Sequence, residues 1–463
     1  MNENNKLAEI HNMPPFKAVV SNAVPAMLGF VMVLIYNMAD LFFVGQTGDP
    51  LDVAAVSLAT PMFLTLIGLG TIFGVGGTSV ISRSLGAGNA EYAKKVSSFC
   101  FWSSIIVGSI FAIILYIFID EVLVLLGTSE QIWDRVKDYL IILGFSAPFL
   151  LIGHCYTNLL RAEGEPKKAI TGMLIGNIVN IVLDPIFILW LGMGVKGAAI
   201  ATLLGNTANG IYYIIYLKKD SKLLGLDIKD FTIKDNVLKS VMLIGIPASI
   251  ASFLQSWSNM VANNLMSTYG DIPLAGFGVA MKIITIPTLL CLGLGLGVQP
   301  LLGYCIGAKN LLRFKSLMKS SLILGFGVSA TLTLICYIGL NYIVGIFLTD
   351  ISALEYAAPF TAILLSTTIL VGLFNVYSNA LQAMGEASSS LIVNSSRQGI
   401  VYIPLLFILN IAIGIDGLVW AQPIADVITF LLVILLYYRA YKKFVKKFAH
   451  EDNNIEENDI IMQ

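Results

Sequence analysis

The chain has 463 residues, of which 57% are hydrophobic and only 12% charged, with a formal net charge of −1 at pH 7. A water-soluble domain carries about 25% charged residues. This composition therefore excludes a soluble enzyme; the net charge itself says little, and no nucleic-acid partner is expected.

Apolar runs recur from Val19 to Tyr438, each near or above the roughly 20 residues that cross a bilayer. Hydropathy predicts twelve transmembrane helices, at 15–44, 53–82, 96–118, 138–160, 169–190, 196–217, 237–267, 274–304, 318–347, 355–381, 388–411 and 417–438. The first run is too long, and wrongly flanked, for a cleaved signal peptide. The five cysteines (Cys100, Cys155, Cys291, Cys305, Cys336) stand singly in apolar runs without ligand spacing, so structural thiols are expected rather than disulfides or metal sites.

Helix one carries Tyr36, Asn37 and Asp40 in its outer part, and helix four carries Tyr139 and a lone His154. Helix five contains Gly176–Gly192, in which Asn177, Asn180 and Asp184 stand one helical turn apart and Pro185 follows the acid. That spacing puts the three side chains on one face. Asp184 lies seven residues from the predicted outer end, roughly 10 Å deep, and Asp40 five residues, roughly 8 Å. A carboxylate at such depth costs several kcal/mol unless it faces a cavity or a partner. Pro185 removes the amide that would bond the Ile181 carbonyl, leaving a bare acceptor beside the acid. Two carboxylates, nearby amides and a free carbonyl describe a site for a small cation, a proton or sodium; the alternative is a structural carboxylate capped by amides from a neighbouring helix.

In the second half, helices seven, eight and ten offer Gln255, Asn259, Met281, Lys282 and Asn375. Together with Tyr36 they are either the candidates for a substrate cleft, where methionines and aromatic rings suit flat organic cations, or residues of ordinary helix packing. Lys282 either snorkels outward or lines that cleft. His154 reads as hydrogen-bonded core or as a proton relay. Arg397 and Asp426 fall at nearly the same depth in helices eleven and twelve, so a structural ion pair is expected.

The 28 Lys and Arg sort unevenly. With the N-terminus inside, 23 fall in inner segments, three (Arg135, Lys137, Lys196) in outer loops, and two (Lys282, Arg397) within helices. This bias places both termini in the cytoplasm. The basic "YRAYKKFVKKF" near the C-terminus reads as an anchor on anionic inner-leaflet lipid. The acidic tail after it is expected to be disordered.

The chain is also written twice. "SLGAGNAEYAKK" at Ser84 returns as "CIGAKNLLRFKS" at Cys305, and "LRAEGE" at Leu160 as "LQAMGE" at Leu381, both 221 residues on. "VPAMLG" is answered by "IPASIA", with Pro25 and Pro247 222 apart. Six helices per copy make the halves a parallel repeat, related by an axis along the membrane normal. The expected architecture is an all-α integral membrane protein, with twelve transmembrane helices in two six-helix lobes related by a pseudo-twofold along that normal. Its parts are an N-terminal tail (1–14), a first lobe (15–217), a cytoplasmic linker (218–236), a second lobe (237–438) and a basic, then acidic, tail (439–463).

Taken in order, "SRSLGAGN" after helix two, "LRAEGEPKKA" after helix four and "DPIFILWLGMGVKGAAIATLLGN" across helices five and six resemble the multidrug and toxic compound extrusion (MATE) family over about residues 15–440. The resemblance implies a bacterial multidrug efflux antiporter, not an enzyme. It would export cationic or amphiphilic compounds in exchange for H⁺ or Na⁺ by alternating access, as a monomer in the cell membrane without a cofactor. It also carries a cation-site role onto Asp40, Asn180 and Asp184, and further onto Tyr139 and Thr202. Asn37 joins them by its spacing from Asp40. Many members carry a glutamate on helix seven, where this chain has Gln255, so coupling is assigned to the first lobe. A flippase for lipid-linked or amphipathic substrates is the alternative, though it calls for a cleft richer in cations. There is no P-loop motif and no clustered DDxxD acid pattern for a membrane prenyltransferase.

Overall fold

In the computed structural model, the backbone is described for residue 10 and residues 12–347 and 351–461, and side chains for residue 10 and residues 12–345 and 353–446. Among the described residues the chain is helical, without strands. The long helices are α1 (Pro15–Gly45), α2 (Pro50–Gly86), α3 (Ala90–Ile117), α4 (Trp133–Ala162), α5 (Pro166–Asp184, continued by a π-helical turn Pro185–Trp190) and α6 (Gly194–Lys219). The second set is α7 (Val237–Ser267), α8 (Asp271–Gly307), α9 (Leu311–Ile338), α10 (Ile351–Leu365 and Thr368–Met384), α11 (Ala387–Ser395, a π-helical turn Ser396–Ile400, then Tyr402–Ile413) and α12 (Ile415–Ile461).

Among the described residues, ten helices are long and apolar enough to cross a membrane, or eleven when the two rods of α10 count as one span. The twelfth, α6, has 26 residues, and its hydropathy is diluted by Thr202, Asn206, Thr207 and Asn209. The outside of the bundle is greasy. On α3, Ile106, Ile110, Ile113 and Ile117 are 47%, 50%, 56% and 65% exposed along one stripe, a surface suited to hydrocarbon.

The repeated motifs are helix punctuation. Gly88 and Lys309, partners in the repeat, both have positive φ (76° and 52°), as do Gly164 and Gly385 (87° and 76°). After the first pair the chain enters α3 and α9, and the Asn310 side chain caps α9 by accepting from the Arg313 amide at 2.9 Å. After Gly164, Pro166 takes the first position of α5, where a missing N–H costs nothing.

The chain divides into two compact units: Met1–Asn12, Ser21–Ile81 and Ala90–Ser256, and then Met13–Val20, Ser82–Asn89 and Trp257–Gln463. Within the first unit α4 packs on α3 and α6, and α5 on α6; within the second α9 packs on α10, and α11 on α12. The first core gathers Leu66, Leu115, Leu140, Leu143, Ile188 and Val195. The second gathers Met266, Phe277, Phe360, Tyr402, Leu406 and Leu418. In the first unit residues 225–227 lie along α3, accepting hydrogen bonds from Ser97, Ser98 and Trp102 at 2.8, 2.7 and 3.1 Å. Outside the spans, Arg135 bridges Asp49 and Asp52. The Leu51 amide first, and then Arg135, hold the Asp49 carboxyl below its ordinary range.

Three expectations change. The run predicted at 318–347 is α9 ending at Ile338 plus a separate short helix Leu340–Phe347, split at Gly339. The run at 355–381 is bent by 41° between its two rods. The C-terminal helix does not stop at residue 438 but continues to Ile461, because neither Gly nor Pro interrupts the sequence after Pro423.

In the second unit two repeat-related glycines pack reciprocally. A methyl group on Gly86 would strike the Tyr304 carbonyl, and one on Gly307 the Arg83 carbonyl. Backbone does not give way cheaply, so Gly307→Ala is expected to cost about 1–3 kcal/mol, read as a lower midpoint of thermal unfolding in detergent. Gly327→Ala, which meets nothing within 4 Å, should be neutral or stabilising. Equal midpoints for the two variants would refute the contact.

Candidate functional site

The first unit holds the polar centre. On α5, Asn180 and Asp184 stand one turn apart, 2% and 0% exposed. The turn that follows Pro185 is π-helical, with the Leu191 amide donating to the Ile186 carbonyl at 2.9 Å. The proline therefore changes the helical register beside the acid rather than only removing a donor, and such turns frequently accompany functional sites. The Asn180 amide donates to Thr202 Oγ1 of α6 at 3.3 Å. Tyr36 of α1 and Tyr139 of α4 stand near Thr202, and both lie within electrostatic range of Asp40 and Asp184. Four helices thus bring together Tyr36, Asp40, Tyr139, Asn180, Asp184 and Thr202.

Both oxygens of Asp184, Oδ1 of Asp40 and Oδ1 of Asn180 are buried without a hydrogen-bond donor. Among the described residues no lysine or arginine pairs with either acid. Buried carboxylates are ordinarily satisfied, and a charge left alone at this depth is costly. The four oxygens, from three side chains, are acceptors without donors, a chemistry able to take up a proton or a small monovalent cation. No group of three or more His, Cys, Asp or Glu capable of holding a metal ion occurs among the described residues.

Asn37, on the same helix as Asp40, is exposed. His154 Nε2 sits 3.1 Å from Thr71 Oγ1, a hydroxyl partner, and its ring lies against Gly70.

The cleft candidates divide between the units. Half-buried Tyr36 and exposed Gln255 are in the first. In the second, Asn259 and Met281 are half-buried and Lys282 is exposed. Asn375 is buried against Gly295, its amide donating to the Val371 carbonyl at 2.9 Å.

The second unit carries a satisfied acid instead. Arg397 Nε donates to Asp426 Oδ1 at 2.9 Å, and the guanidinium lies 5.3 Å from the centre of the Phe374 ring. Gln422 also donates to Oδ1, and Thr367 to Oδ2, both at 3.0 Å. Arg397 belongs to the π-helical turn of α11 and Thr367 to the break in α10. One carboxylate therefore ties both irregular points to α12.

Sequence reasoning passed over Asn206 and Asn209. They stand four and seven residues after Thr202, a spacing that places them on its face of α6 and that was available in the sequence.

A family model described as MatE matches residues 25–186 and 247–408, two copies in one chain. The Multidrug export protein MepA of Staphylococcus aureus (strain MRSA252) is 33% identical over 426 residues, 92% of this chain and 94% of that protein. The protein of the same name from Staphylococcus haemolyticus (strain JCSC1435) is 32% identical, covering 91% and 93%. Among solved structures, a MATE in complex with MaL6 superposes with a TM-score of 0.88 at 25% identity, over 95% of this chain and 98% of that one. A MATE in the bent conformation gives 0.89 at 25% identity over the same shares. The two matched copies and the two-lobed likeness accord with the repeat in the sequence, and the chain belongs to the MatE family of multi-pass membrane transporters rather than to any class of enzyme.

Proposed function

We propose that this transporter is a multidrug exporter of the cell membrane with both termini cytoplasmic. It extrudes organic cations or amphiphiles in exchange for H⁺ or Na⁺ by alternating access, and the pocket around Asp184 is where the driving ion binds. The observation that carries this reading is the pair of unpartnered Asp184 oxygens in a wholly buried position. A charge so placed, without a partner in the chain, is the mark of an ion pathway. The MepA relatives are named as multidrug export proteins, and the surplus of basic residues in the predicted inner segments sets the orientation.

The test is purified protein in liposomes loaded with a fluorescent organic cation, given an imposed H⁺ or Na⁺ gradient. One of the two gradients should accelerate dye movement against the direction of ion flow. Dye flux indifferent to both would refute ion coupling.

A further inference from the structure

The acids of the pocket are not the only unpartnered groups inside the first unit. Asn177 Nδ2, Asn206 Nδ2 and Asn209 Oδ1 are also buried and meet no partner in the protein. They are not scattered. Asn177 lies seven residues from Asp184 on α5, and Asn209 seven residues from Thr202 on α6. Each helix thus carries its polar column roughly 10 Å from the pocket toward the Pro166 end of α5. The columns face each other across a close helix contact. A methyl on Gly205 would lie 2.7 Å from the Gly176 carbonyl oxygen and 3.0 Å from Asn180 Cβ, and one on Gly176 2.9 Å from Asn209 Cβ. From α4, Gly153 leaves room for the Asn209 amide, since a methyl there would stand 2.7 Å from Nδ2. Below this level the column ends in a satisfied stopper. Thr157 Oγ1 and Tyr213 OH are 2.8 Å apart, and Tyr213 donates to the Ala169 carbonyl at 2.6 Å.

Orphan amides of this kind are costly when truly dry. Three on facing helices, in the polar columns that lead from an orphan carboxylate, are what an internal chain of water satisfies, each molecule needing two to four polar partners.

We propose that Asn177, Asn206 and Asn209 hold a file of ordered water running from Asp184 to the Thr157–Tyr213 stopper. This file is the path by which the driving ion leaves the pocket toward the cytoplasmic side. The second half of the statement rests on the coupling role and orientation given above; the first does not.

Two measurements separate them. A crystal structure of the unaltered protein at about 2 Å or better should show ordered water between Asn177 and Asn209; a dry, closed contact there overturns the file. For the path, Asn206→Leu/Asn209→Leu is compared with Asn206→Ser/Asn209→Ser, each first shown to bind a fluorescent organic cation in detergent. The leucine pair should retain dye affinity yet lose about tenfold in gradient-driven flux, equivalent to about 1.4 kcal/mol. The serine pair, which keeps groups for water, should recover most of that loss. Parental flux in the leucine pair overturns the path, and so does a serine pair as slow as the leucine pair. Asp184→Asn run alongside reports on the coupling role alone: flux retained in that variant would implicate the earlier reading, not the water.

Discussion

Asp184→Asn is expected to reduce gradient-coupled export by at least about tenfold while leaving the folded protein intact. The change keeps the shape of a side chain that is fully buried and removes its capacity to be charged. An amide has one acceptor and two donors in place of two acceptors, so neither a proton nor sodium is held by charge any longer. The expected loss corresponds to at least about 1.4 kcal/mol of differential ion interaction. Stability should not fall, because no hydrogen bond of the carboxylate to the rest of the chain exists to be lost. The check is paired: dye flux from liposomes under the imposed gradient, and the midpoint of thermal unfolding in detergent. Normal coupled flux in a stable Asp184→Asn protein would remove this residue from the mechanism. Asp40→Asn should act in the same direction but less, since Asp40 is 9% exposed and is closer to the predicted outer end of its helix.

Much of this arrangement is legible in the sequence because membranes make few features ambiguous. An isolated acid beside a proline in an apolar run stands out, and so do two copies of the same punctuation 221 residues apart. What escaped depends on backbone detail with no local marker. The break in α10 falls in "LLSTTIL", which holds neither Gly nor Pro. It is fixed instead by Thr367 reaching Asp426, 59 residues away. The π-helical turn at Ser396–Ile400 likewise lacks a proline, whereas the one at Pro185 announces itself. The amides of Asn206 and Asn209 were visible as letters. Their significance emerges only once α6 is seen to face α5 and α4, because an unsatisfied group is a property of surroundings. The division of helix ends between the compact units is of the same kind: Ser82–Asn89 groups with the second unit through contacts between segments more than 200 residues apart.

Asp426→Asn should behave in the opposite way, and the contrast discriminates between the two acids. Asp426 accepts from Arg397, Gln422 and Thr367, and the Arg397 and Asp426 side chains are 12% and 5% exposed. Removing either charge leaves the other buried and uncompensated, which typically costs about 3–5 kcal/mol. Arg397→Met and Asp426→Asn should therefore each lower the thermal midpoint substantially. Arg397→Met/Asp426→Asn removes both charges together and should cost much less than the sum, because no uncompensated buried charge is then left. Such a cycle isolates the interaction, since the residues are in direct contact. Thr367 ties this cluster to the bend in α10, so loss of Asp426 should also make amide exchange faster around residues 366–368 than elsewhere in α10. Additive costs in the cycle, or unchanged exchange at the bend, would refute the assignment. If both acids behave as argued, the same substitution of Asp by Asn spares stability and stops coupling at position 184, and destabilises the fold at position 426. The physical difference is whether the chain supplies the counter-charge itself or leaves that place to an ion.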